Sequence, residues 1–168
     1  WKKGNYKFTT NFFSGTSSKY PNGYIEKGYG NMTHKDNYRI QISLIGDRYV
    51  KNEKIIPINV DLNYIRNHKG HIIVNHINSL GSNSNGYLTK LTPTEIEEFS
   101  ESKSEAFGKN IWKKTIIKKT DNGYKSIFMQ TTDLNKPWTF AFELEWTRIE
   151  DGKNDTCHVN YEPCNNIR

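Results

Sequence analysis

The chain has 168 residues, a formal net charge of +6 and 34% hydrophobic residues. That is enough for a single domain spanning 1–168 with its own core, needing no metal or disulfide to fold. No apolar run approaches the ~18 residues of a membrane-spanning helix, and the basic balance favours anionic partners without dictating a fold.

The chain opens on an aromatic, Thr-rich stretch, Tyr6 to Phe13, which predicts a strand. Ser14 to Ser18 and Tyr20-Pro21-Asn22-Gly23 carry turn chemistry, and Tyr24 to Tyr29 is a short strand interrupted by glycine. Tyr38 to Leu44 alternates cleanly as a strand, and Gly46-Asp47-Arg48 predicts a turn after it. Ile55 to Leu62 follows, with Pro57 pointing to an edge or a bulge. His71 to Leu80 is another strand, ended by the polar tract Gly81 to Gly86.

Next the hydrophobic period changes. Thr92-Pro93-Thr94-Glu95 has the form of a capping box with proline at the first helical position. Ile96, Phe99, Ala106 and Phe107 then recur at helical spacing, and Glu95, Glu97 and Glu98 suit the positive end of a helix dipole. One main helix is therefore expected over residues 92–107. Beyond it, Thr115–Thr120 and Tyr124–Thr132 form a hairpin around Asp121-Asn122-Gly123. The last strand, Trp138 to Trp146, puts Trp138, Phe140, Phe142, Leu144 and Trp146 on alternate positions as one apolar wall for the helix to pack on. The expected class is α+β: mostly antiparallel sheet, as a curved sheet, a partly open barrel of the OB type or a sandwich, with one helix.

The two cysteines, Cys157 and Cys164, would close a short loop as a disulfide worth roughly 2.5 kcal/mol. A disulfide implies an extracellular or periplasmic protein; free thiols would imply the cytoplasm. No Ser–His–Asp elbow, phosphate-binding glycine loop or zinc-helix motif is present, so no catalytic residue, metal ligand or cofactor is assigned. Glu143 and Glu145 share a strand face roughly 7 Å apart, and are read as that strand's wet side rather than an acid–base pair.

Two features suggest binding. Tyr20, Tyr24 and Tyr29 lie in or beside loops rich in Gly and Asn, where aromatic rings and adaptable polar groups together make contact surface. Lys113, Lys114, Lys118 and Lys119 form a basic run suited to a phosphate backbone or an acidic glycan. The leading expectation is an exported, non-enzymatic module that binds a protein or glycan ligand of anionic character through its loops. The alternatives are a nucleic-acid-binding OB-like barrel, or a small hydrolase or nuclease using His71, His76 or His158.

Overall fold

The computed structural model describes residues 2–13, 19–80, 83–104 and 109–149. Every regular element among them is a strand: β1 (Gly4–Phe12), β2 (Tyr24–Asp36), β3 (Arg39–Val50), β4 (Glu53–Arg66), β5 (Ile72–Asn78), β6 (Asn83–Leu91), β7 (Glu95–Ser104), β8 (Lys109–Thr120), β9 (Gly123–Thr131) and β10 (Thr139–Arg148). Each strand runs antiparallel to its predecessor, and β1 pairs with β10 from Tyr6↔Arg148 to Phe12↔Phe142. The ten strands thus close into an up-and-down barrel without a free sheet edge.

This overturns the α+β expectation, together with its partly open barrel and its sandwich. The stretch expected to be a helix is the β6–β7 turn and β7 itself. Thr92 Oγ1 accepts from the Glu95 amide at 2.9 Å, as a helix cap would. The Thr92 amide, however, donates to the Glu95 carbonyl at 2.8 Å and closes a hairpin. Along β7 the buried inward positions are Ile96, Glu98, Ser100 and Ser102. Three of those four are polar, so the strand period is not visible in the hydropathy pattern. Glu95 serves no helix dipole: its carboxylate lies 2.6 Å from Lys90 and 3.8 Å from Lys118 on the flanking strands.

The wall expected from Trp138 to Trp146 holds only from Phe142 onward. A register shift between Phe140 and Phe142 turns Ala141 inward and leaves Phe140 outside, 4.7 Å from the Phe13 ring. Trp138 precedes the strand and meets Phe99 edge-on at 6.2 Å. The wall faces the barrel lumen rather than a helix.

The turn expected at Gly46-Asp47-Arg48 lies inside β3. Gly46 pairs with Gly28, and a side chain on either would overlap the backbone of the other strand. The true turn is Lys51-Asn52, with φ of 50° and 69°. This is the two-residue hairpin geometry more often filled by Asn-Gly. Pro57 sits where β4 runs past β5, whose pairing with β4 begins only at Val60. Its missing N–H therefore costs no ladder bond there.

The interior is filled unevenly. Tyr6, Phe8, Met32, Ile42, Leu44 and Trp146 belong to one packed cluster on the β10–β1–β2–β3–β4 side. The facing strands β6 and β7 offer Ser84, Gly86, Ser100 and Ser102 inward, and these leave volume unfilled. Outside, Glu97 meets Lys114 at 3.1 Å, and Lys125 lies 3.0 and 3.3 Å from Glu143 and Glu145. Charged rows outside and apolar groups inside are the reverse of a lipid-facing barrel.

Candidate ligand-binding lumen

The unfilled interior consists of two adjoining chambers. The larger, about 380 Å³, lies toward the end at which β1 and β9 finish and β2 and β10 begin. The smaller, about 160 Å³, lies toward the end closed by the tight turns 37–38, 92–94 and 121–122. Leu62, His76, Thr115, Phe128 and Leu144 line both and form the waist between them. At the narrow end the Lys2 amide donates to the Tyr124 hydroxyl at 2.9 Å, and the Tyr6 hydroxyl donates to the Lys2 carbonyl at 2.7 Å. The N-terminal segment is thereby tied down. Burial, and then Tyr124, pushes the Tyr6 hydroxyl up to about 12.

The larger chamber has an aromatic wall. Tyr24, Phe12, Phe142 and Phe128 stand at register-matched positions on β2, β1, β10 and β9. Their centroids are 4.0, 4.4 and 4.0 Å apart, with interplanar angles of 16°, 29° and 20°. Neighbouring strands are about 4.8 Å apart, so the stack runs around the wall and turns ring edges, not faces, toward the lumen. Arg48 closes the end of the stack, 4.1 Å from the Tyr24 centroid and 5.5 Å from Tyr20. Its Nε and Nη2 donate to Glu26 Oε1 at 3.0 and 2.6 Å. Burial raises the Glu26 pKa above the usual carboxylate range, with Arg48 pulling it back. Burial also raises the Tyr24 hydroxyl strongly, against the pull of Arg48.

Lys113 points into the same chamber. It pairs in register with Ser100 on β7 and Gln130 on β9, both lining it. Burial lowers the pKa of its ammonium, an effect Glu98 partly offsets. At the waist Glu98 is only 1% exposed. Its Oε1 lies 2.8 Å from His76 Nε2, but the approach is off the hydrogen-bond axis, so neither atom has a hydrogen-bonding partner. The Tyr64 hydroxyl donates to Glu98 Oε2 across a long 3.4 Å. Burial, and then Glu98, raises the Tyr64 hydroxyl well above its ordinary value. The smaller chamber is walled by Ile40, Ile72, Leu88, Ile96, Ile117 and Trp146. The Trp146 indole N–H is buried there without a partner.

The predicted binding residues therefore part company. Tyr24 and Lys113 converge on the lumen, and Tyr20 packs edge-on against Tyr24 at 5.3 Å. Tyr29 faces outward, 5.7 Å below Lys7. Lys114 and Lys118 lie outside, against Glu97 and Glu95, and Lys119 is exposed near the narrow end. Glu143 and Glu145 are outside as expected, sharing Lys125. His71 is exposed, whereas His76 faces the lumen. Cys157, Cys164 and His158 lie outside the described residues. Glu26 carries no signal in the sequence, and Arg48 and Glu98 read there as a turn residue and a helix-start carboxylate, although Glu26 and Arg48 fall on the inward parity of strands whose apolar members are plain.

The chain matches no family model, and no curated protein matches it. Among solved structures it is similar to a redesigned β-barrel, mFAP0, bound to DFHBI: 13% identity, 86% of this chain and 96% of that chain covered, TM-score 0.40. EF1p2_mFAP2b bound to DFHBI is similar at 12% identity, 87% and 92% coverage and a TM-score of 0.40.

Proposed function

We propose that this chain is a non-enzymatic binding protein that takes a small molecule into its lumen through the end at which β1 and β9 finish. The observation that carries the reading is the pair of adjoining chambers, one of about 380 Å³ with an aromatic wall and a few converging polar groups and one apolar at about 160 Å³. A concave, largely apolar space with a few converging polar groups is what a small-molecule site requires. The test is titration with the neutral, environment-sensitive dye N-phenylnaphthylamine. Its fluorescence should rise on binding, and Ser100→Phe, which fills the larger chamber, should abolish the rise while circular dichroism stays unchanged. A signal indifferent to Ser100→Phe would place the dye elsewhere and defeat the reading.

Recognition of a protein or glycan through surface loops draws less support. Tyr20 and Tyr24 are engaged with Arg48 and with each other rather than presented to solvent. A nucleic-acid surface is also disfavoured, because Lys114, Lys118 and Lys125 are matched by Glu97, Glu95, Glu143 and Glu145. Export remains part of the proposal and rests on a Cys157–Cys164 bridge. Mass spectrometry after thiol labelling of the unreduced native protein tests it, and two labelled cysteines would refute it.

A further inference from the structure

We infer that the lumen's ligand is an anion-headed amphiphile, its carboxylate against Lys113 in the larger chamber and its apolar part directed through the waist toward Trp146. This rests on the lumenal-binding reading and names the chemistry of that same site.

Three observations converge on it. The first is the charge arrangement. Four charged side chains line or adjoin the larger chamber, and Arg48 and Glu26 neutralise each other directly. Glu98 is contacted by His76 and Tyr64. Lys113 interacts with Glu98 electrostatically, yet no acidic group lies within ion-pair distance of its ammonium among the described residues. An enclosed ammonium without a contacting counter-charge is unfavourable unless something supplies one. Gln130 and Ser100, its register neighbours, add donors around the same point.

The second is the aromatic wall. Because the four rings stack on one another, their electropositive edges face the chamber and their electronegative faces are covered. Ring edges attract carboxylate oxygens and repel cations. Arg48, lying over Tyr24, covers the outer face of the last ring in that stack.

The third is the polarity gradient. Beyond the waist the wall is mostly apolar, with Ile40, Ile72, Leu88 and Ile117 beside the unpartnered Trp146 indole N–H, and its one acidic group among the described residues, Glu98, keeps an anionic head at the Lys113 end. From Gln130 to Tyr124 on β9 is six residues, roughly 15 Å along the barrel axis at ordinary strand rise and tilt. A medium-length alkyl chain spans that distance.

Calorimetric titration with laurate, dodecanol and dodecyltrimethylammonium tests the proposal. Laurate should bind tightest and the cation weakest. Lys113→Met should weaken laurate by about tenfold or more, the usual scale of a charge-assisted contact, and leave dodecanol nearly unchanged. Lys113→Arg should retain the laurate preference, and Lys114→Met, outside the barrel, should change nothing. If dodecanol binds, Ser100→Phe blocks it, and laurate shows no advantage or no dependence on Lys113, the anion inference fails and the lumenal reading stands. If none of the three binds the folded protein, both fail.

Discussion

At the residue scale, the interior charges set two expectations. Lys113 has a lowered folded pKa, caused first by burial. The cost of enclosing its charge is fully present below that pKa. As pH rises from there toward the ordinary lysine value of about 10.4, the native state releases its proton before the unfolded chain does, so stability rises with pH. Urea midpoints should climb as pH is raised toward about 10, and Lys113→Met should remove that part of the slope. Arg48→Met should cost about 3 kcal/mol in urea unfolding, because it leaves Glu26 enclosed without its partner. The double variant with Glu26→Gln should recover part of the loss. Such residues are hard to find in a sequence. Lys113 reads as one lysine among several, and only strand parity separates it, facing Ser100 and Gln130, from Lys114, facing Glu97. The tyrosines behave alike: Tyr24 and Tyr29 are an odd number of positions apart on one strand, so one enters the lumen and the other faces water.

At the element scale, the strands legible in the sequence are those whose inward residues are apolar. Ile40, Ile42 and Leu44 on β3 are an example. β7 is hidden because its inward positions Glu98, Ser100 and Ser102 are polar and break the alternation that betrays a strand. The Thr92 side chain, bonding the Glu95 amide in a hairpin, reproduced the local chemistry of a helix start. Local capping bonds are shared by both structures; the decision falls to cross-strand partners such as Lys90 and Lys118, which are distant in sequence or masked by a bulge. The Gly46 turn failed for a related reason. Gly28 and Gly46 let β2 and β3 approach where each Cβ would strike backbone. Gly28→Ala should therefore destabilise by about 2 kcal/mol or more, since backbone cannot move aside as a side chain can. Thermal unfolding of the purified variant provides the measurement.

At the scale of the whole molecule, nine of the ten strand pairings join neighbours in sequence, and only β1 with β10 closes the ring. That seam brings residues such as Phe8 and Trp146 together across most of the chain, and its loop-closure entropy is the largest of the ten. The seam should form after the folding transition state. Phe8→Leu should then accelerate unfolding while leaving the folding rate nearly unchanged, giving a φ-value near zero in stopped-flow chevrons. A substitution such as Leu62→Ala, within the β3–β4–β5 hairpins, should slow folding instead.

The placement of Trp146 has a practical consequence. An indole enclosed among apolar and aromatic side chains such as Tyr6, its N–H unbonded, emits at short wavelength and responds to any acceptor or polarisable group brought near it. Trp112 and Trp138 sit on or near the outer surface and report a different environment. The protein therefore carries a spectroscopic gauge at the far end of its own cavity. A guest that reaches the inner chamber should alter that emission band, whereas one that stops at the waist should not, so occupancy and depth can be read without a label.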